Sequence, residues 1–236
     1  MTRSRTPLTR ERVLSAAMAV ADTDGVPALT MRRLAADLGV EAMSLYHHVR
    51  GKEALLDGLV EAVVAEIEAA VARADEAQGE EAAADADWRD ALRRRFLTAR
   101  TVVVRHPWTP GLVSSRASVP PSVYAYFEQV LATMVEGGVG YDLAHRALHS
   151  FGSMALGFTQ ELFSPVTAGG STDVDLSEAE LTAMADALPH LSAMVASELH
   201  AADGDVLGWC DSQAEFEFTL DLLLDGLEAQ RLRTVP

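Results

Sequence analysis

Three glycines, Gly25, Gly39 and Gly51, cut the first 52 residues into pieces that hold only brief helices. Glycine reaches the left-handed conformation that ends a helix without a steric penalty, and each of these follows apolar residues at helical spacing. Thr9 is a good N-cap, and Arg10 to Ala21 puts Val13, Ala16, Ala17 and Val20 on one face before Asp22-Thr-Asp-Gly25 stops it. Thr30 caps a second helix with Leu34, Ala35 and Leu38 inward, ended by Gly39. Glu41 or Ala42 opens a third, very short helix through His48; Arg50-Gly51 breaks the chain, and Lys52 begins a long helix to about Ala74. A helix of about eight residues, a glycine turn and a second short helix is the spacing of a helix-turn-helix. Small Ala35 lets the two helices approach, so that Leu34, Ala35 and Leu38 meet Val40, Leu45 and Val49. Ala42, Met43, Ser44, Tyr46, His47 and His48 are left facing outward, residue types that touch thymine methyls and donate to phosphates. Adjacent histidines on a helix point about 100° apart and chelate poorly, so His47 and His48 suit DNA better than a metal.

The net charge of −16 argues against nucleic acid only until the chain is divided. Residues 1–52 hold eight Lys or Arg against five acids, a balance of +3, whereas residues 53–236 hold eleven against thirty, a balance of −19. Contacts are governed by charge within about 10 Å at ordinary salt, so the N-terminal piece suits phosphate and the acidic remainder should stay clear of it. Cys210 is the only cysteine, which excludes an intrachain disulfide and a Cys-rich metal site and fits a reducing cytoplasm. The basic start is followed by no apolar h-region. The charge-free apolar stretch 147–160 has 14 residues, short of the roughly 18 of a membrane span. The expectation is a soluble cytoplasmic protein with no membrane partner.

Beyond the long helix, helix-favouring composition continues and no strand is expected. Asp75 to Asp87 is acidic, Ala-rich and without apolar periodicity, and reads as a loop. Trp88 to Val104 is amphipathic through Leu92, Phe96 and Leu97, and His106-Pro-Trp-Thr-Pro110 interrupts it. Pro120-Pro121 start a helix to about Val135, stopped by Gly137-Gly138, and Tyr141 to Phe163 forms a further, very apolar one. Ser164 to Asp175 reads as a loop, a helix starts at Leu176 and is kinked or split at Pro189, and Cys210 to Leu232 closes the chain. The fold class is therefore all-α. Residues 1–52 are expected to form a three-helix helix-turn-helix domain, 52–74 a connecting helix, and 75–236 a larger helical domain for ligand binding and dimerisation.

The run Leu-Gly-Val-Glu-Ala-Met-Ser-Leu-Tyr-His-His-Val-Arg-Gly-Lys-Glu-Ala-Leu-Leu-Asp, residues 38–57, resembles the hallmark segment of the tetracycline-repressor (TetR) family, and the likeness extends over about residues 9–62. The resemblance implies that Arg32 and the outward face of Ala42, Met43 and Ser44 contact bases, while Thr30, Tyr46, His48 and Lys52 hold phosphates. Met31 and His47 complete the candidate DNA-binding set. His47 stands where the tetracycline repressors proper have tryptophan and Met43 where they have proline, so the operator sequence is not carried over.

A single helix-turn-helix contacts too little DNA for useful specificity, so a homodimer on double-stranded operator DNA is expected. Helices 141–163 and 210–232 are the interface candidates, paired across a two-fold axis into a four-helix bundle. Phe216 to Glu228 resembles the closing helix of the tetracycline-repressor type of C-terminal domain. A small-molecule effector would lie between helices of that domain, with His106, Trp108, His149, Phe151, Met154, Phe158 and Glu161 as candidates and His145 beside them. In the tetracycline repressors a histidine and a glutamate help hold a magnesium–drug complex. Matching the Leu156-Gly157 pair brings Glu161 to the glutamate, but His106 near the histidine sits in a different local pattern. The expectation is thus no cofactor and no metal site of the chain's own, magnesium entering only together with a ligand.

These readings converge on a repressor relieved by its ligand. A regulator answering to a protein partner, or acting as an activator, is the alternative. A metal-dependent hydrolase is more remote: no nucleophile elbow, phosphate loop, dinucleotide fingerprint or paired catalytic carboxylates stand out, and the His145–His149 spacing carries Arg146 where a zinc-protease helix has glutamate.

Overall fold

Thr9 and Thr30 start their helices as their positions in the sequence imply. In the computed structural model, which describes residues 7–79, 87–158, 186–190, 192–193 and 212–234, the Thr9 hydroxyl accepts from the Arg12 amide at 3.2 Å and Thr30 from Arg33 at 3.1 Å. These bonds satisfy amides that the first helical turn leaves without partners. They open α1 (Arg10–Asp24) and α2 (Met31–Leu38), with a 3-10 turn, Val26–Ala28, between them. Gly39 ends α2 at φ +65°. Its amide bonds Ala36 O and the Val40 amide reaches back to Ala35 O at 2.9 Å, a Schellman closure that needs a left-handed residue at this position. Then come α3 (Ala42–Tyr46) and the long α4 (Lys52–Gln78).

The body consists of α5 (Trp88–Arg105), α6 (Thr109–Ser114), α7 (Pro121–Glu136), α8 (Tyr141–Gly157) and α9 (Ser212–Thr234). Among the described residues there is no strand. Several elements differ from the sequence expectation: α1 runs on to Asp24, and α3 stops at Tyr46 short of His48. Helix α4 runs one turn past Ala74, where Arg94 of α5 donates to Asp75 at 2.8 Å and anchors a segment that has no apolar stripe. Helix α6 forms inside the proline-containing interruption, because Pro110 occupies the first turn, where no amide is required. The expected continuation of α8 to Phe163, the loop 164–175 and the start of a helix at Leu176 lie outside the described residues, as does Cys210.

Helix α4 joins the two halves of the molecule, packing on α1, α5, α6 and α7. Its first turns belong to a core in which Val13, Ala17, Leu29, Leu34, Leu45, Leu55 and Leu59 are fully buried. Its later turns place Val63, Ile67 and Val71 against Ala99 and Val102 of α5. A third core assembles α5, α7, α8 and α9 around Leu92, Phe96, Met134, Phe151, Phe216 and Leu220, with Phe96 and Phe151 stacked at 5.0 Å. Each Val, Leu, Ile, Met or Phe side chain taken from water contributes about 1.5–3 kcal/mol, which is why the apolar stripes dictate the helix packing.

Candidate nucleic-acid interface

The helix-turn-helix is held from within by Leu34, Ala35, Leu45 and Val49, all buried. With Leu45 and Val49 inside, the remaining residues of α3 and the turn after it must look outward. Met43 is 69% exposed and Tyr46 43%, and His47 is exposed as well. Ala42, Ser44 and His48 are half-buried beside them. Helix α3 is only five residues long, so His47 and His48 lie in a turn past its end. Thr30 and Arg32 are exposed at the start of α2, with Met31 half-buried, and Lys52 is exposed at the first residue of α4. The structure thus gathers all ten DNA-binding candidates on the two helices of the motif, the cap and turn that flank them, and the first residue of the next helix.

Charge divides these residues further. Arg33 is held by Asp24 and by Asp37 at 3.5 Å, and the Asp24 hydrogen bond raises its guanidinium above the ordinary value. Arg32, Arg50 and Lys52 make no ion pair among the described residues. Arg50, exposed in the turn before α4, is absent from the sequence-based set although its position next to Gly51 marks it as a loop cation. Three cations without internal partners beside exposed methyl, hydroxyl and imidazole groups make a surface able to bind phosphates and touch base edges.

The effector candidates separate into three places. Phe151 and Met154 are buried in the body core, and half-buried Phe158 meets Phe216 edge-on at 5.4 Å. Buried Arg100 lies over Phe216 at 4.5 Å and Phe158 at 5.7 Å, and its Nε donates to Gln213 at 3.0 Å. His149 is exposed on the opposite side of α8. His106 and Trp108 sit elsewhere again, at a joint between α1, α4 and the body. His106 Nδ1 is 2.7 Å from Asp22 and its Nε2 is 3.1 Å from Glu66; the Trp108 indole donates to the same Asp22 oxygen at 2.6 Å. Nearby, Arg116 grips Glu53 at 2.7 Å and Asp57 at 3.3 Å on the first turns of α4. No sequence signal links residues 84 or 59 positions apart, which is why this joint escaped the sequence reading. Glu161 lies outside the described residues. An open groove of about 830 Å³ between α1 and α4, bordered by Arg10, Leu14, Met18, Asp22 and Glu61, is lined by none of the effector candidates. Among the described residues no three His, Cys, Asp or Glu side chains are grouped to hold a metal ion, and no helix is long and apolar enough to cross a membrane.

Residues 13–59 match the family described as bacterial regulatory proteins, tetR family, and residues 81–231 match the tetracyclin repressor-like C-terminal domain. The chain belongs to the tetR family. It is a helix-turn-helix, DNA-binding transcriptional regulator of the repressor type. An HTH-type transcriptional repressor, DrrR1, of Streptomyces coeruleorubidus is 29% identical over 228 residues, covering 94% of this chain and 77% of that one. An HTH-type transcriptional regulator of Saccharopolyspora erythraea is 34% identical over 138 residues, 58% of this chain but only 54% of that protein's length. A solved structure of a possible TetR family regulator from Streptomyces coelicolor A3(2) superposes with a TM-score of 0.69 at 30% identity, covering 93% of this chain and 98% of that one.

Proposed function

We propose that this regulator binds a palindromic operator as a homodimer and releases it when a small molecule occupies the helical body. The observation that carries the reading is the outward face formed by α2, α3 and the turn into α4, where Arg32, Arg50 and Lys52 have no ion pair among the described residues and flank exposed Met43, Tyr46 and His47. Residues 1–52 act as the DNA-binding domain, 52–74 as the connecting helix and 75–236 as the ligand-binding and dimerisation domain, working in the cytoplasm where the operator is. The dimer is supported by apolar side chains left exposed on the closing helices, Tyr141 and Leu156 on α8 and Phe218 and Leu222 on α9. Paired across a two-fold axis, these helices form a four-helix bundle and set the two recognition helices one DNA turn apart, about 34–36 Å.

The effector site is proposed where Phe151, Met154 and Phe158 converge with Phe216 and Arg100. Proteins of the same fold have been solved with small molecules bound, among them ActR of Streptomyces coelicolor with actinorhodin and a TetR variant of Acinetobacter baumannii with minocycline. A ligand can shift the protein off DNA only by binding the released geometry more tightly than the gripping one. The joint of Asp22, His106, Trp108 and Glu66 is where such a shift in the body would reach α1.

Selection from a pool of random duplex DNA tests the proposal. A two-fold symmetric consensus is expected, and its complex should then dissociate in the presence of the cognate small molecule but not of unrelated ones. A folded dimer that enriches no sequence at low salt would contradict it.

A further inference from the structure

We propose that the open groove between α1 and α4 is a second small-molecule site, one that takes a lipophilic organic cation. Its volume of about 830 Å³ lies within the range of pockets that hold drug-sized molecules. The floor is apolar: Leu14 and Met18 come from α1, and Gly58, Ala62 and Ala65 from α4. At one end the helices touch, for a Cβ on Gly58 would stand 2.7 Å from the Leu14 side chain. There Arg10 reaches across to Glu61 at 2.6 Å. At the other end His106 fits between the helices, 2.7 Å from Asp22 and 3.1 Å from Glu66, so these carboxylates stand an imidazole apart. That spacing and the small side chains of α4 leave the floor uncovered between the two ends.

Charge selects the occupant. Four carboxylates border the groove, Glu11, Asp22, Glu61 and Glu66, against the one guanidinium of Arg10. Arg10 answers Glu61, and Arg105 of the body answers Glu66 at 2.6 Å. Glu11 is exposed and makes no ion pair among the described residues, while Asp22 is met by His106 and the Trp108 indole. Negative charge is thus in excess beside an apolar floor. A broad apolar cation buries its hydrocarbon on that floor and keeps its charge near the carboxylates. An anion of the same shape gains the same burial but meets like charge, which rejects it. Met18, unbranched and polarizable, adapts to aromatic rings laid against it. The groove lies outside the core that holds Phe151, Met154 and Phe158, and the assignment does not depend on the effector reading above.

Tetraphenylphosphonium and tetraphenylborate, alike in size and shape but opposite in charge, test the assignment on full-length protein with isotope-labelled methionine methyls. The cation should saturate and shift the Met18 methyl resonance, identified by its loss in Met18→Leu, while leaving Met154 of the body core in place. The borate should bind about tenfold more weakly or less. Glu11→Gln should weaken the cation roughly threefold, the size of one exposed charge contact. Ala65→Trp fills the groove from an exposed position of α4 and should weaken it about tenfold or more, with helicity by circular dichroism unchanged. A cation that shifts Met154 and not Met18, equal binding of the two probes, undiminished binding by folded Ala65→Trp, or no binding by folded wild type would each overturn the assignment.

Discussion

In the body, Arg93 on α5 donates to Glu217 and Asp221 of α9 at 2.8 and 2.7 Å, Arg89 pairs with Asp225, Arg95 with Glu68, Arg94 with Asp75 and Arg105 with Glu66. In the recognition unit, Arg32, Arg50 and Lys52 project into solvent with no acid opposite them among the described residues. The same residue type serves two ends. An exposed ion pair contributes only about 0–1 kcal/mol, but it consumes the cation, so the chain beyond residue 52, which carries −19, has little free positive charge to offer phosphate. At Arg32, Arg50 and Lys52 the recognition unit forgoes that small stabilisation and keeps the cations available, relying on buried leucines for its integrity.

The largest effect should come from attacking those leucines. Leu45→Ala opens a cavity in the small N-terminal core and should lower the unfolding free energy by about 2–5 kcal/mol in urea titrations. A loss near zero would mean that α3 is not held as described. Next, Arg32→Ala should weaken operator binding by about 1–3 kcal/mol while leaving the melting temperature unchanged. Arg93→Ala should do the reverse, sparing DNA affinity in the same mobility-shift assay; equal DNA effects from both would erase the distinction between the regions.

Glycines sharpen the contrast. At Gly137 a Cβ would lie about 2.3 Å from the Trp88 ring, so Gly137→Ala overpacks the body core and should cost about 1–3 kcal/mol. Nothing lies within 4 Å of a Cβ at Gly39, but its φ of +65° is left-handed, so Gly39→Ala should cost about 1 kcal/mol through backbone strain alone. Thermal melts of the two variants should rank in that order.

The smallest effect is electrostatic. The Gln213 amide first, and then the Arg93 guanidinium, hold the Glu217 carboxyl below its usual value. A carboxyl depressed in the fold stabilises the protein above its unfolded value, near ~4.3, and that contribution disappears as pH falls through the folded value. Arg93→Ala should therefore melt slightly below wild type at neutral pH and approach it below about pH 4. A deficit that persists in acid would assign the effect to packing instead.

The recognition unit was legible in the sequence because its determinants are local. A threonine cap, a glycine stop and apolar residues three or four positions apart all act within one turn, and Thr9, Thr30, Gly39 and Leu45 sit as that logic requires. The body was legible only as a series of helices. Helix α6 was missed because a proline pair signals interruption whether the chain then loops or starts a helix at its first turn. The sequence offers His106 and Trp108 beside the prolines as effector candidates, and only the folded chain reveals their bonds to distant Asp22 and Glu66 at the joint with α1 and α4. Arg100 over Phe216 likewise depends on a contact between residues more than a hundred positions apart, which no periodicity encodes.

The salt dependence of binding to the selected operator tests most directly that the unpaired cations Arg32 on α2, Arg50 in the turn after α3 and Lys52 on α4 grip phosphate. Wild type should lose affinity linearly in log–log form as salt rises, and Lys52→Ala should weaken binding to operator and random duplex alike, with a slope shallower by about one for each phosphate contact removed. A Lys52→Ala and Arg50→Ala protein whose affinity and salt slope equal those of wild type would show that these cations do not meet DNA.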